Sequence, residues 1–571
     1  MKNMKNIWVK VALPTIVGLA ITSCSDFLDV DPLTMVTEDN FWDEKNDVDE
    51  IVTGCYTRMQ ESDFCKRLFI WGEVRSDNVA KGDDNLSSTS DENYILTENI
   101  LATNGYTDWS SFYAVIDRCN LVIEKAPEVA EIDPSYLESE VNATIAEVSA
   151  LRALCYFYLV RTFKDVPYYT YAITNDEQDL ELPATDGDAI IDSCIADLED
   201  VQWNALSAWP KVNGQDISYG RITQDAIHAL LADMYLWREN YSQAAYYAQL
   251  VIDSKQEYFE DNYSSNYNVD GYPLIPDYSS GGVQSSAGAA YNAIFGTGGS
   301  AESIFELDFS DDVDEKWNDA VADFFYGTVD DATEVGIFGP SEPLLSEYSS
   351  QSLFYGNSTT EYRLRESIYA DDESSATDGG QIAKYTYETI DPTKEHGDNS
   401  SNTDRSSKDD ANWIFYRTSD MMLIRAEALI CQMSDNDTLS TNDQALRDEA
   451  LELIQAIEDR SSSSGTASIS DATSSKSDMF DLVYDARRRE FLFEGKRWFD
   501  LVRRSRKEGD TDYLVDQVKE KYTENSSVAT SKLGNMNAIY WPYNDDELDV
   551  NPNLTQNPAY PDEGSSYEST R

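Results

Sequence analysis

The feature that most constrains the fold is a recurring pair of helical segments. The clearest pair lies between Ile222 and Ser254, in the stretch ITQDAIHALLADMYLWRENYSQAAYYAQLVIDS. The small residues Ala232 and Ala244 and the aromatic residue Tyr235 fall at helical spacing within it. A small side chain lets two antiparallel helices approach closely, and an aromatic ring fills the space beside it. This segment therefore predicts a helical hairpin.

Together with Tyr241, these positions coincide with the small and aromatic positions of the tetratricopeptide-repeat consensus. Three further pairs show a similar pattern, with Ala153 and Ala426 in the small position of two of them. They are 47–60 with 109–126, 146–163 with 188–202, and 416–432 with 443–460. An ordinary amphipathic hairpin would explain any one of these helix pairs, but the presence of several such pairs in one chain favours a repeat. The sequence thus predicts a mainly α fold, a tetratricopeptide-repeat helical scaffold of about four helix pairs over about 40–255 and 412–505.

Residues 256–411 interrupt the scaffold with a composition rich in Gly, Ser, Asp and Tyr. A structureless loop of this length would be unusual, so we expect a large irregular insertion with short strands, for example at 302–309 and 381–389. Binding residues are often carried on such segments by a rigid scaffold. Residues 506–571 are expected to be an extended C-terminal segment, because prolines interrupt any helix there. These prolines are Pro542, Pro552 and Pro558.

The N-terminus carries a short apolar run that ends at a cysteine. Lysines precede the run, and Cys24 follows the tripeptide ITS. The run is too short to span a bilayer, which takes roughly 20 apolar residues, but it has the length and flanks of a secretory signal. Its end resembles the lipobox of bacterial lipoproteins, in which the cysteine is acylated and becomes the first residue. We expect a signal peptide over 1–23, lipidation of Cys24 and a single domain over 24–571; an ordinary signal with a chance cysteine is the alternative.

The charge and the aromatic content narrow the range of ligands that the protein can bind. The formal net charge is −63 at pH 7, which opposes binding of nucleic acid, anionic membrane surfaces and polyanionic ligands. Aromatic residues make up 12% of the chain, which is more than a disordered acidic protein would carry. These values favour a folded protein with a neutral ligand, whose contact with the membrane is through the lipid anchor only.

Histidine and cysteine are sparse. The two histidines are His228, in a helical pattern where packing is expected, and His396, in a polar loop. A zinc site rich in histidine is therefore disfavoured, and a Ser-His-Asp catalytic arrangement would have only two possible bases. We expect no cofactor. The cysteines form no C-x-x-C pair. Only Cys55 and Cys65 lie close enough in sequence to suggest a local disulfide.

Five separate motifs, in the same order along the chain, resemble one known family. They are CSDFLDVDPLTMVTEDNFW, WGEVRSDNVAKGD, YRTSDMMLIRAEAL, RRREFLFEGKRWFDLVR and WPYNDDELDVNPNLTQNPAY. Together they look like the SusD/RagB family of Bacteroidetes outer-membrane lipoproteins, from the lipobox almost to the C-terminus. The insertion matches poorly. The Asn-x-x-Arg-x-Arg ending that the family often has after its last repeat is replaced by IQAIEDRSSSSG.

The resemblance implies a cell-surface, outer-membrane lipoprotein that binds oligosaccharides without catalysis and delivers them to a partner SusC-like TonB-dependent transporter. In such a protein the repeat scaffold packs against the transporter, and a less regular face holds the glycan. Two alternatives stay open at this point. One is a surface glycoside hydrolase that uses paired carboxylates, and the other is a peptide-binding importer component of the same family.

The candidate ligand-binding residues fall in two groups. The motif WGEVRSDNVA supplies donors and acceptors that suit sugar hydroxyls, at a position where the resemblance implies contact with the glycan; capping of a turn is the alternative. Its candidates are Arg75, Asp77 and Asn78. In the insertion, Arg363 can donate hydrogen bonds, and aromatic rings can stack on the C–H face of a pyranose. Trp317 is favoured among the rings because DDVDEKWNDA around it is polar; the others are Tyr278, Tyr291, Phe325 and Tyr326.

Two further patterns suggest other chemistry. Glu490 and Glu494 lie one helical turn apart, as paired carboxylates for glycoside hydrolysis would, but the arginines around them favour structural ion pairs. The stretch NYNVDGYPLIPD has oxygen-bearing side chains at the spacing of a calcium loop. It lacks the usual first Asp and last Glu, so a turn is favoured. The calcium candidates are Asn266, Asn268, Asp270 and Asp277.

Overall fold

The computed structural model describes residues 41–560, apart from short internal stretches. These stretches are 83–85, 175–177, 179, 279–284, 311–315, 327–335, 351–360, 370–379, 395–403, 406–409, 436–438, 468, 470–474 and 523–525. The side chains of residues 326, 348–350, 404 and 405 are also outside the description. Cys24, the candidate signal peptide, His396 and the ring of Tyr326 therefore lie outside the described residues.

The fold is mainly helical. The α-helices are α1 Lys45–Met59, α2 Ser62–Phe69, α3 Asp91–Leu96, α4 Ser110–Ile132, α5 Glu138–Phe163, α6 Gly187–Val201, α7 Gln224–Trp237, α8 Tyr241–Asn262, α9 Ala289–Tyr291, α10 Asp319–Val321, α11 Glu342–Ser350, α12 Arg363–Ser367, α13 Thr418–Gln432, α14 Thr441–Arg460, α15 Lys476–Glu490, α16 Arg497–Glu508, α17 Asp512–Val518, α18 Ser526–Leu533 and α19 Asp545–Val550.

The strands are short and pair two by two. They are β1 Val79–Lys81, β2 Val166–Pro167, β3 Ala184–Thr185, β4 Ser303–Leu307, β5 Phe338–Pro340, β6 Ile368–Tyr369, β7 Gln381–Ile382, β8 Tyr387–Thr389, β9 Asp404–Arg405 and β10 Trp413–Arg417. The antiparallel pairs are β1 with β5, β2 with β3, β4 with β10, β6 with β7, and β8 with β9.

All four predicted helix pairs are present. α1 packs on α4, α5 on α6, α7 on α8, and α13 on α14. Further contacts join α4 to α5, α6 to α7, and α8 to α13, so the hairpins stack into one scaffold. The mainly α, tetratricopeptide-like arrangement predicted from the sequence is therefore confirmed.

The α7–α8 hairpin shows why the small and aromatic spacing predicts this packing. Ala232 and Ala244 are fully buried, which lets the two helix backbones come together. The Tyr235 ring lies nearly parallel to that of Tyr247, with 5.7 Å between centroids. Its hydroxyl donates a hydrogen bond to Glu199 of α6 (2.6 Å). The aromatic position thus fills the space beside the small residues and also ties the hairpin to the preceding helix.

α5 lies in the core of the scaffold. By length and composition it could span a membrane, but 94% of its apolar window is buried inside the protein, so it is a core helix. No other helix in the described part of the chain has this composition. Its Tyr156 donates a hydrogen bond to the carbonyl of Tyr169 (2.8 Å). This bond fixes the segment that follows the helix.

The insertion contains the predicted short strands and additional helices. β4 lies within it and pairs with β10, which begins just after its C-terminal end, with Leu307 opposite Trp413; this confirms the strand expected at 302–309. The second expected strand is divided into β7 and β8 by a turn in which Tyr385 has φ 69°. β1 pairs with β5, so the insertion also packs against the segment after α2. α9 to α12 lie here too, and the Gly- and Ser-rich composition does not predict them.

The expectation of an extended C-terminal segment is wrong over part of its length, because α17, α18 and α19 occur there. The prolines precede or follow α19 and so do not interrupt it. The backbone N–H of Trp541 donates to the carbonyl of Thr162 (2.8 Å), and the hydroxyl of Tyr543 donates to that of Asp165 (2.7 Å). These bonds fasten the segment to the end of α5.

The described cysteines are buried free thiols. Cys55 and Cys65 are both free, so the local disulfide that the sequence suggested is not formed. The Sγ of Cys55 lies instead 3.9 Å from that of Cys119. His228 is buried against the rings of Trp203 and Tyr247, and burial lowers its pKa to about 4. Its predicted packing role is confirmed.

Candidate functional site

Trp317 is the aromatic candidate that the structure places at the surface, with 44% of the residue exposed. Both of its neighbours in sequence are tied to other segments. The backbone of Lys316 pairs with that of Ser310 (3.1 Å), and the side-chain amide of Asn318 donates to the carbonyl of Ala411 (2.7 Å). The backbone on either side of Trp317 is therefore fixed while much of the residue is open to solvent, as a stacking platform requires.

Two ion pairs involve the chain segments on either side of Trp317 and the helix packed against them. Nζ of Lys316 lies 2.8 Å from Oε1 of Glu61, and Nζ of Lys66 lies 2.5 Å from Oδ2 of Asp323. α10, which begins just after Trp317, packs on α2, the helix that carries Lys66. Donors and acceptors for hydroxyl groups are thus available on the same part of the molecule. We call Trp317 and these four charged residues the Trp317 surface.

Arg75, by contrast, lies fully inside the protein. Its guanidinium donates to both carboxylate oxygens of Glu98 (3.0 and 2.8 Å) and to the carbonyls of Ala538 (2.7 Å) and Ile539 (2.9 Å). It also lies 4.2 Å from the centroid of the Trp498 ring. All these contacts are internal, so the expectation that Arg75 contacts a ligand is revised to a structural role.

Asp77 and Asn78 are buried as well. Asp77 forms ion pairs with Arg497 (2.9 Å) and Arg488 (3.1 Å). Burial alone would raise the pKa of Asp77, but the two guanidinium groups outweigh it and hold the pKa well below its usual range. Asn78 donates to Glu73 (2.9 Å) and accepts from Arg488 (2.8 Å). The motif therefore joins the turn after α2 to α15 and α16, and we do not include it in the ligand site.

Arg363 lies in a second buried ion network. It contacts Glu361 (2.7 Å), Glu458, and Glu490 (3.4 Å), and only 5% of the residue is exposed. Three carboxylates around one guanidinium satisfy its donors within the protein. The expectation that Arg363 donates to a ligand is therefore revised in the same way.

Glu490 and Glu494 lie in this network too. Glu490 accepts from Arg417 and Arg460, and Glu494 accepts from Arg417 (2.8 Å) and Lys384 (2.9 Å). Burial would raise the pKa of Glu494, but Arg417 and Lys384 outweigh it and lower the pKa to about 2. Both carboxylates are at most 2% exposed, which confirms structural ion pairing and leaves them inaccessible to a glycosidic bond.

Three other aromatic candidates are core residues. Tyr291 is 2% exposed and donates to the carbonyl of Ala383 (3.0 Å). Phe325 packs edge-on against Phe69, with 4.8 Å between ring centroids. Tyr278 is buried against the backbone near residue 465. Among the aromatic candidates whose side chains are described, Trp317 is therefore the one exposed ring.

The calcium candidates form a turn. Asp270 and Gly271 have φ of 52° and 88°, and the side chain of Asn268 accepts a hydrogen bond from the N–H of Gly271 (3.1 Å). Positive φ at two successive residues is the geometry of a tight hairpin turn. Asp277 is buried separately and accepts from the N–H of Ala290 (2.7 Å). In the described part of the chain, no group of three or more His, Cys, Asp or Glu side chains is arranged to hold a metal ion.

Comparisons with known proteins identify the family. Residues 301–560 match the model of the SusD family, and residues 26–236 match a second model described as starch-binding and associating with the outer membrane. The chain belongs to the SusD/RagB family. Among its SusD-like relatives, SusD-like protein P38 of Formosa agariphila is 25% identical over 98% of this chain and 100% of its own length. SusD-like protein P2 of the same organism is 24% identical over 85% of this chain and 88% of its own length.

Solved structures show the same SusD fold. A SusD superfamily protein from Bacteroides vulgatus superposes with a TM-score of 0.65 at 19% identity, over 91% of this chain and 100% of that one. A SusD superfamily protein from Parabacteroides distasonis gives a TM-score of 0.61 at 22% identity, over 90% and 99% of the two chains. The helical scaffold and the insertion therefore follow the architecture of the SusD superfamily.

Proposed function

We propose that this SusD/RagB protein is a cell-surface lipoprotein that captures oligosaccharides and delivers them to a partner SusC-like TonB-dependent transporter. The observation that carries the proposal is the exposure of Trp317 on the insertion, at a position where the backbone on both sides is fixed by hydrogen bonds. The starch-binding description of the family model that matches the N-terminal part of the chain supports a glycan as the ligand class.

The Trp317 surface offers both contacts that a sugar needs. The indole face can pack against the C–H face of a pyranose, and the carboxylates and amines around it can bond to hydroxyls. Its four charged residues are two cations and two anions, while the whole chain carries −63. We therefore propose a neutral glycan, because a polyanion would meet repulsion from the chain without an excess of positive charge at the site.

We propose that binding proceeds without hydrolysis. Glu490 and Glu494 are the paired carboxylates that the sequence singles out, and both are engaged by buried cations. A glycoside hydrolase needs two carboxyl groups that flank the scissile bond, one of them able to donate a proton. A buried carboxylate whose pKa is held low by guanidinium groups cannot serve as that acid.

Anchoring and delivery complete the proposal. Removal of residues 1–23 would leave Cys24 as the acylated first residue of a single domain, 24–571. One acyl chain binds a bilayer only marginally, whereas two or more hold a protein there stably. In this proposal the lipid keeps the protein at the outer membrane, and the helical scaffold faces the transporter.

Affinity electrophoresis of the purified protein tests the ligand class. The panel contains neutral polysaccharides, sulfated and uronate-rich polysaccharides, and peptides, and reducing ends are measured in parallel over several hours. We expect retardation by at least one neutral polysaccharide and no release of reducing ends. Binding to peptides alone would support the importer alternative, and steady release of reducing ends from pure protein would support the hydrolase.

A further inference from the structure

A second aromatic surface lies in a groove away from the insertion. The groove has a volume of about 580 Å³ and is formed by the start of α4, the described stretches 167–173 and 180–182, and α19. This volume falls within the range of roughly 300–1,000 Å³ that is usual for small-molecule sites. None of the charged residues of the Trp317 surface lines it.

Three tyrosine rings follow one another along the groove, next to the ring of Trp109, which is 3% exposed. Trp109 and Tyr113 have centroids 5.8 Å apart, and Tyr113 and Tyr169 are nearly parallel at 5.9 Å. Tyr171 continues the series 5.4 Å from Tyr169 and is 42% exposed. We call Tyr113, Tyr169 and Tyr171 the tyrosine arc. A series of adjoining rings provides several neighbouring apolar faces and edges, as successive sugar units of a chain would require.

The rings of the arc are held by hydrogen bonds. The hydroxyl of Tyr113 donates to the carbonyl of Pro167 (2.6 Å), and that of Tyr169 donates to Oδ1 of Asp117 (2.6 Å). The ring of Trp109 packs against those of Phe163 and Tyr543, with centroids 5.1 and 5.2 Å away. Because these side chains are already fixed, a ligand that stacks on them loses little affinity to ordering of the protein.

The charged side chains that line the groove are acidic. Asp117, Glu181 and Glu547 provide carboxylate oxygens, and no Lys or Arg is among the described lining residues. Carboxylates accept hydrogen bonds from sugar hydroxyls, whereas they repel sulfate and uronate groups. Burial raises the pKa of Asp117 and of Glu547, which agrees with a partly dehydrated groove. The lining therefore suits a neutral saccharide.

We propose that the tyrosine arc groove binds a neutral oligosaccharide as a second contact, separate from the Trp317 surface. The inference rests on the proposed glycan-binding function and extends it. The two surfaces would bind either two parts of one long glycan or two separate glycans. A segment of a partner protein is the competing occupant. A stable protein interface buries roughly 800 Å² on each partner, and a groove of this volume is of small-molecule size.

Substitution of Tyr171 tests the inference, because this ring is at the exposed end of the arc and its loss should leave the fold intact. The purified full chain, Tyr171→Ala and Trp317→Ala are each applied to an array of neutral oligosaccharides, anionic oligosaccharides and Lys- and Arg-rich peptides. Tyr246→Ala is the matched control, since Tyr246 is 50% exposed and does not line the groove. We expect Tyr171→Ala to weaken binding of at least one neutral oligosaccharide by roughly 30-fold. Tyr246→Ala should bind it as the parent does.

Each other result overturns the inference in a distinguishable way. If Tyr171→Ala matches Tyr246→Ala for every glycan that the parent retains, the groove is not a glycan site, while the proposed function stands. If the parent retains no glycan at all, the proposed function fails as well. If the parent binds basic peptides and Tyr171→Ala alone loses them, the groove is a peptide-docking site and the saccharide assignment is wrong.

Discussion

Removal of the charge of Glu490 should destabilise the protein strongly. Glu490 is 2% exposed and is the shared acceptor of Arg417 and Arg460, with Arg363 at 3.4 Å. Glu490→Gln keeps the size of the side chain but leaves these guanidinium groups short of one buried negative charge. Loss of one partner from a buried ion pair typically costs about 3–5 kcal/mol. We expect the free energy of unfolding to fall by that amount, which is a large share of the roughly 5–15 kcal/mol of an ordinary domain.

The pH dependence of the same variant gives a second readout. Burial alone would raise the pKa of Glu490, but Arg460, Arg417 and Arg363 outweigh it and hold the pKa well below its usual range. The stabilisation is therefore fully present above the unfolded-state pKa of about 4.3 and is lost as the pH falls toward the folded-state pKa. Glu490→Gln should remove this part of the acid sensitivity.

Denaturant titration followed by tryptophan fluorescence measures both effects. Glu128→Gln is the control, because Glu128 pairs with Lys125 on the exposed side of α4 (2.9 Å), where an ion pair contributes about 0–1 kcal/mol. If Glu490→Gln cost no more than Glu128→Gln, the network would not be the structural element described above. Glu490 would then again be a candidate for a catalytic role.

Three further predictions concern other parts of the chain. Burial raises the pKa of Asp277 to about 7, so the folded protein keeps a proton that the unfolded chain releases near pH 4. The free energy of unfolding should therefore fall as the pH rises from about 4 to about 7, by at most about 1.4 kcal/mol per pH unit. Asp277→Asn should make this fall smaller, which thermal or denaturant unfolding at several pH values would measure. Gly72→Ala would place a Cβ 1.8 Å from the carbonyl oxygen of Gly495 and should cost about 1–3 kcal/mol of unfolding free energy; an unchanged value would contradict the close approach. Cys24→Ala should give a folded but unanchored protein, and mass spectrometry that found an unmodified residue 24 in the parent would refute lipidation.

The scaffold could be predicted from the sequence because its signals are local. Ala232 and Tyr235 lie one helical turn apart, and that spacing by itself specifies a close contact between neighbouring helices. The spacing of the prolines suggests an extended C-terminal segment, but α17 and α18 end before Pro542, and α19 fits between Pro542 and Pro552. Proline excludes a helix at its own position and not in the short interval between two prolines.

The candidate site could be predicted only in part, because burial of a polar residue depends on distant partners. Arg75 and Asp77 occur in a polar motif that resembles a surface loop, yet their partners include Glu98 and Arg497, and the pairing of Asp77 with Arg497 joins parts of the chain that are far apart in sequence. Trp317 was recognisable because its own neighbours are polar, so its exposure needed no long-range information.

The tyrosine arc is a further site whose aromatic residues are visible in the sequence but whose groove is not. The stretch DVPYYTY is dense in aromatic residues and could have been singled out from the sequence. Its meaning depends on Trp109 and α19, which the fold brings beside it from earlier and later parts of the chain. The composition around Tyr278 and Tyr291, which is rich in Gly and Ser, suggests exposed rings. The fold buries both rings through contacts that the composition does not reveal.

Calorimetric titration of Trp317→Ala tests the central claim most directly. The ligand is a neutral oligosaccharide prepared from a polysaccharide that retards the parent protein, and Trp203→Ala is the control because Trp203 is 62% exposed on the helical scaffold. Loss of a well-placed aromatic anchor commonly costs 2 kcal/mol or more, so Trp317→Ala should bind roughly 30-fold more weakly. Its melting temperature should stay near that of the parent, because the ring is exposed, and Trp203→Ala should bind as the parent does. Unchanged affinity in Trp317→Ala would contradict the assignment of the glycan to the Trp317 surface.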